Sequence, residues 1–265
     1  MNVFNIAMDL IMVPLRLLPA ELALACYSIL SGVVILLLFK ISSNPAKIAA
    51  ARDRAVARVL ELWLFREDAV GGLFSVGRAM LNSLGYLATM LRPALVSMLP
   101  MLIMLIQANA WFGSKTLEKG DSVLVSVCAE QAGVADTLSL EVPENITVEA
   151  SVSCPEINEK SWRIRVNEAK GSDILRITGR NIEETKLIAT GDAISRTSIL
   201  RTNSRVEHLL YPDEPLLPDS LASITIAYKP ASYSFFGIEM PWIVYLLIVS
   251  LITGLVLKKP LGVEF

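Results

Sequence analysis

Three apolar stretches, residues 22–39, 94–112 and 242–257, constrain this 265-residue chain more than any motif it contains. A helix rises about 1.5 Å per residue, so each stretch comes close to the roughly 30 Å of a bilayer's hydrocarbon core. The third is the shortest, and Phe235 and Phe236 just upstream extend its apolar reach. No Asp, Glu, Lys or Arg sits mid-span. The hydrophobic share of 53% and mean hydropathy of +0.53 also exceed the balance of a soluble domain. A multi-pass integral membrane protein is expected, with membrane lipids as its first partners.

Charge predicts the orientation. Residues 40–92 carry eight Lys or Arg against four Asp or Glu, and Lys258 and Lys259 follow the third stretch directly. Short Lys/Arg-rich loops stay cytoplasmic, so residues 40–92 and the tail are expected inside, with the N-terminus outside. Residues 113–241, with 19 acidic and 13 basic side chains, then lie outside. Long loops cross largely regardless of charge, so that balance adds little. The expected location is a cell membrane, the inner membrane of a bacterium. A cleaved leader fits poorly: no Lys or Arg precedes Arg16, and Asp9 and Glu21 interrupt the apolar run. Ala23-Leu24-Ala25-Cys26 resembles a lipoprotein cleavage site, but the longest apolar run follows it.

The expected fold is membrane α+β, in seven parts. Residues 1–21 form an N-terminal interfacial segment, 22–39 the first transmembrane helix and 40–93 a cytoplasmic antiparallel helical hairpin. Residues 94–112 form the second transmembrane helix and 113–234 an extracytoplasmic β-sandwich-like domain. The third transmembrane helix takes 235–257 and a cytoplasmic tail 258–265. Within the first part, residues 3–18 are apolar but broken by Pro14 and Arg16. They fit either a helix lying in the interface or a frayed end packed on the bundle.

In the hairpin, Asn44 and Pro45 give a cap and first-turn proline signal. Ile48, Ala51, Ala55, Val59 and Leu62 then recur at helical spacing. After Phe65-Arg66-Glu67-Asp68 and a Gly71-Gly72 turn, Leu73, Val76, Met80, Leu84, Leu87 and Leu91 form a second stripe. The two stripes are expected to bury each other, and Arg92-Pro93 to end or kink the second helix. The period then changes. Residues 146–152, 162–166 and 222–228 alternate apolar with polar, and 123–127, 173–178 and 185–189 are weaker strand patterns. Turn residues separate them, and several short strands of this kind suggest a small sandwich.

Chemistry-bearing motifs are missing. His208 is the only histidine, so no His-rich metal cluster can form, and Glu207 beside it points elsewhere in an extended segment. No phosphate-binding loop, dinucleotide fingerprint or nucleophile elbow is present. No catalytic, cofactor-binding or metal-ligating residue is expected. Cys128 and Cys154 leave two alternatives, a disulfide across neighbouring strands or two isolated buried thiols. Asn145-Ile146-Thr147 is a glycosylation sequon. Lys47, Arg52, Arg54 and Arg58 offer a cytoplasmic contact face for anionic lipid or an acidic partner. Without an aromatic platform beside them, nucleic acid is not expected. Inside the spans, Ser28, Ser31, Ser97, Gln107 and Asn109 are the polar groups available to line a groove or to hold helices together. The absence of titratable groups at depth argues against a proton-coupled transporter.

This order of parts resembles the three-span core of the Oxa1 superfamily, and more closely its smaller members of the EMC3 and TMCO1 type. Residues Ile41-Ser-Ser-Asn-Pro-Ala-Lys-Ile-Ala-Ala-Ala-Arg-Asp-Arg54 look like the exit from the first span into that family's hairpin. Leu91-Arg-Pro-Ala-Leu-Val-Ser-Met-Leu-Pro-Met-Leu102 looks like the entry to the second span. The similarity covers about 160 residues. Two features depart from it: a β-rich insertion between the second and third spans, and no intramembrane arginine, Arg16 being the nearest. The resemblance implies a biogenesis factor that helps hydrophobic client segments enter the bilayer through a lipid-open groove, without covalent catalysis. The other expectation is a structural or interaction subunit whose outer β domain binds a protein partner.

Overall fold

The computed structural model describes residues 3–64, 69–180, 182–191, 194–235 and 237–262. The expected Phe65–Asp68 connection and the apolar extension at Phe236 lie outside the described residues. By its internal packing the chain divides into two units, residues 1–26 with 105–245 and residues 27–104 with 246–265. It is an α+β protein of helices and antiparallel sheets.

The first four helices are α1 (Val3–Leu15), α2 (Ala20–Ser42), α3 (Pro45–Leu64) and α4 (Ala69–Phe112). Two segments are long and apolar enough to cross a membrane by length and composition, Ala20–Ser42 and Pro93–Phe112. Only 39% and 33% of their apolar windows are buried inside the protein, so most of that surface faces outward. The start of α3 follows its expected signal: the Lys47 N–H donates to Asn44 Oδ1 at 3.2 Å, with Pro45 at the first helical position.

α4 differs from expectation in three ways. Gly71 and Gly72, read as a turn, lie inside it, and of the end or kink expected at Pro93 the end does not occur. At 44 residues it is assigned as one helix. Pro93 removes one backbone bond, but good helix formers on both sides, Leu87, Ala88, Met90, Leu91, Ala94 and Leu95, carry the helix through. Of the described stripe residues, Ile48 and Ala51 are buried, while Met80, Leu84, Leu87 and Leu91 are each more than half exposed, so that part of the α4 stripe faces outward. The side chains of Ala55, Val59, Leu62, Leu73 and Val76 lie outside the described residues.

The β-bearing unit continues with β1 (Ser122–Ala129), α5 (Val134–Thr137), β2 (Ser139–Glu141), β3 (Ile146–Cys154), β4 (Glu159–Val166), β5 (Ser172–Gly179) and β6 (Ile182–Ala189). Then come β7 (Leu200–Thr202), α6 (Arg205–Leu210), β8 (Leu221–Ile226), β9 (Ser232–Phe235) and β10 (Ile238–Pro241). The final helix is α7 (Trp242–Lys258), apolar but only 17 residues long. β3-β4-β1-β8-β7 form a five-stranded sheet, β2-β5-β6 a three-stranded one and β9-β10 a hairpin. Alternation decides which side chains meet: Val125 pairs with Trp162 and with Ile226, placing all three on one face. Val123, Val127, Ile164, Val166 and Ile224 join them, and Leu175, Ile177, Ile182 and Ile188 of the smaller sheet complete the same core.

All six expected strands form, with one exception to the expected pattern. β3 is an edge strand, and beyond Ile146 its apolar residues, Val148 and Val152, are exposed. Phe235, expected to lengthen the last span, instead lies in β9, which turns back through Gly237 at φ +82°. His208 and Glu207 lie on the short helix α6 and not in an extended segment, and Glu207 Oε2 accepts from the Thr202 hydroxyl.

Candidate functional site

In the β-bearing unit, α1 carries apolar side chains on both its inward and its outward faces. Asn5, Met8 and Met12 face the protein, while Leu10 is 75% exposed and Ile6 and Val13 are also exposed. Its polar side chains are held by a partly buried arginine. Arg196, in the β6–β7 connection, donates to Gln107 Oε1 at 2.7 Å and pairs with Asp9 at 3.5 Å and Asp213 at 2.8 Å. Gln107 in turn donates to Asn5 Oδ1, and Asn5 donates to the Pro212 carbonyl, each at 2.8 Å. Trp111 is the platform beneath: the Arg16 and Arg196 guanidinium carbons lie 4.5 and 5.9 Å from its ring centre. One guanidinium with its fork of donors thus ties α1, the end of α4 and two loops of the β domain together. Burial pushes the Asp213 carboxyl up to about 6, against the pull of Arg196 and Lys186.

A second charged group lies deeper. Lys186 is on the inward face of β6 and completely buried; its Nζ donates to Glu214 Oε1 at 2.6 Å and to Ser198 Oγ at 2.7 Å. Glu214 Oε2 also accepts the Leu187 N–H at 3.1 Å. Burial lowers the Lys186 pKa and the neighbouring Glu214 carboxylate opposes that shift. Arg201 extends the cluster, pairing with Glu184 at 2.8 Å and donating to the Pro215 carbonyl. A lysine beside a serine is one way to activate a nucleophile. Here Glu214 occupies the ammonium, and Ser198 and Lys186 are 3% and 0% exposed. In this arrangement the pair fastens the 198–214 segment to β6.

In the other unit, a groove of about 360 Å³ is lined by α2, α4 and α7, with Gly32, Phe39, Met101, Leu247, Leu251 and Gly254 in its wall. Gly32 makes the close contact that shapes it. A Cβ built there would lie 2.8 Å from the Ser250 carbonyl oxygen and 3.2 Å from Thr253 Cβ. At Gly254 a Cβ would meet nothing within 4 Å. Tyr27 further ties α2 to α4 by donating to the Met104 carbonyl at 2.8 Å.

The polar groups singled out in the spans have separate fates. Ser31 donates to Ser28 O, and Ser97 to Pro93 O and Ala94 O, all within their own helices. Ser28 is fully buried. Gln107 belongs to the arginine hub, and the Asn109 carbonyl accepts the Gly113 N–H that closes α4. Lys47, Arg52 and Arg54 are exposed on α3, while the Arg58 side chain lies outside the described residues. Cys128 and Cys154 are free thiols, which corrects the disulfide alternative, and neither is buried as the other alternative expected: Cys128 is half-buried and Cys154 exposed. Both pair with Glu159 from opposite sides, so β4 separates their strands by two interstrand steps, about 10 Å, beyond disulfide reach. Asn145 of the sequon is buried, its Nδ2 donating to Glu168 O and Asp173 Oδ2.

Sequence reasoning missed Asn5, Asp9, Arg196 and Asp213 as a unit, and Lys186 with Glu214. The one available signal was Asp9, a charge inside an otherwise apolar helix. No family model, curated protein or solved structure matches this chain.

Proposed function

We propose that this is an integral membrane protein without covalent chemistry, a structural and interaction subunit that holds an apolar segment of another membrane protein. In this reading α2, the second half of α4 and α7 cross a cell membrane, with the N-terminus and a sandwich-like β domain outside and α3 inside. Several observations support the crossing. The candidate spans keep most of their apolar surface outward. α1 also turns Ile6, Leu10 and Val13 outward while Asn5 faces the protein, which suits a helix lying in the interface. α2 packs against Ser250 through Gly32 and against α4 through Tyr27, which favours a permanent helix over a removable leader. At 17 residues α7 covers about 26 Å, so local thinning of the bilayer accompanies it.

The groove beside Gly32 and Gly254 carries the interaction reading. Glycine-walled grooves let another backbone approach closely, and dispersion contacts then hold the partner. Its lining is almost wholly apolar, with Ser31 and Ser97 outside it. That composition suits holding a greasy helix better than passing polar flanks across the bilayer. The insertase reading is second. The exposed α4 stripe, Met80 to Leu91, favours it, because a transient client needs an open apolar surface beside the cationic α3.

Site-specific photo-crosslinking from Leu251 in native membranes, with quantitative membrane proteomics after depletion, tests the two. One recurrent crosslinked partner, lost when Gly254→Leu fills the groove, is the expected result. Many different crosslinked proteins with broad depletion of membrane proteins would favour insertion instead. No groove-dependent crosslink would end both.

A further inference from the structure

The short helix α6 presents an apolar face outward. Val206, Leu209 and Leu210 stand at i, i+3 and i+4, so they share one side of the helix, and they are 72%, 68% and 52% exposed. Exposed apolar residues scattered singly are ordinary, but three on one turn mark a contact surface. Tyr211, partly exposed, follows them directly. The next residue shows what lies against this face. Gln107, inside the candidate span Pro93–Phe112, donates to Asn5 Oδ1, and Asn5 donates to the Pro212 carbonyl, each at 2.8 Å. Two hydrogen bonds therefore tie Pro212 to the outer end of that span, at the helix α1 that exposes Ile6 and Leu10. Leu210 is two residues before Pro212, so its Cα lies within about 7 Å of Pro212 Cα. All of these residues belong to one packing unit, residues 1–26 with 105–245.

We propose that α6 is a second lipid-contacting foot: Val206, Leu209, Leu210 and Tyr211 enter the bilayer interface beside α1 and hold the β domain down on the membrane surface. The occupant is lipid because the face is continuous with the helix already read as interfacial, and the inference rests on that reading. The acids of this corner are engaged by the protein. Asp9 and Asp213 pair with Arg196, and Glu207 accepts the Thr202 hydroxyl at 2.8 Å. A tyrosine at the end of such a face sets its ring at headgroup level. With two feet the domain is held against rocking, which α1 alone does not prevent.

Spin-label EPR of the full-length protein in nanodiscs of phosphatidylethanolamine and phosphatidylglycerol tests it. Nitroxides are placed singly at Leu209→Cys, at Leu10→Cys on α1 and at Val152→Cys, with Cys26, Cys128 and Cys154 replaced by alanine. All three label sites are more than half exposed, so the fold tolerates them, and Val152 lies on the sheet edge opposite β7. Power saturation with oxygen and with a water-soluble nickel chelate reads the depth of each label. Leu209→Cys and Leu10→Cys are expected to favour oxygen and to lie about 5–10 Å inside the headgroup–acyl boundary, with Val152→Cys favouring nickel. Nickel preference at Leu209→Cys with oxygen preference at Leu10→Cys overturns the proposal and leaves the α1 reading intact; the α6 face is then for a protein. Nickel preference at both overturns the proposal together with the interfacial reading of α1.

Discussion

Replacing Lys186 by methionine is expected to destabilise the β domain by about 3–5 kcal/mol, the usual cost of stranding one partner of a buried ion pair. Glu214 would stay buried with its carboxylate unbalanced, because Lys186 Nζ is its 2.6 Å partner and the site is closed to water. Much of the loss is the stranded charge and not the missing attraction. Lys186→Met combined with Glu214→Met should therefore recover most of the stability. Recovery stops short, because Glu214 also accepts the Leu187 N–H, and that part-buried donor loses its partner. Hydrogen exchange of the β5 and β6 amides in the full-length protein in detergent reads both effects. A single variant as stable as the parent would show that the two charges are not buried together.

Adding one methyl group at Gly32 should loosen the packing of α2 against α7, by about 1–3 kcal/mol for alanine and more for valine. The obstacle is the Ser250 backbone, at 2.8 Å from the built Cβ, so no rotamer change relieves it and α2 must part from α7. Gly254→Ala is the internal control. Open space surrounds its Cβ, and alanine gains about 0.5–1 kcal/mol of helix propensity over glycine. Thermal unfolding in detergent should rank Gly254→Ala at or above the parent and Gly32→Val well below it. Equal behaviour of the two glycines would contradict the close helix contact.

Local patterns were readable where one physical rule dominates. Asn44-Pro45 announces the start of α3 because a cap and a fixed φ act over three residues. β1, β4 and β8 were legible because their inward residues, such as Val125, Ile164 and Ile226, alternate with polar ones. β6 gave the weakest signal for a physical reason: Lys186 takes an inward position that alternation reserves for an apolar residue. β2, β7, β9 and β10 have three or four residues each, too few for a period to show. The stripes of α3 and α4 were correctly periodic, but a stripe does not name what covers it, and Leu84 and Leu87 face outward. The arginine hub joins positions 5, 9, 107, 196 and 213. Pairing across such separations is set by the tertiary fold and leaves no trace in spacing. The disulfide alternative failed similarly, because only strand order reveals that β4 intervenes.

Under the proposed topology the β domain and α3 lie on opposite sides of one membrane, and thiol labelling of intact cells distinguishes the two sides. Cys154 is a natural exposed probe on β3, and a cysteine replacing Ala50 is an exposed one on α3, each studied with the remaining cysteines removed. A membrane-impermeant maleimide should modify Cys154 in intact cells and reach the Ala50→Cys probe only after permeabilisation. Modification of both before permeabilisation, or protection of both, would contradict the account.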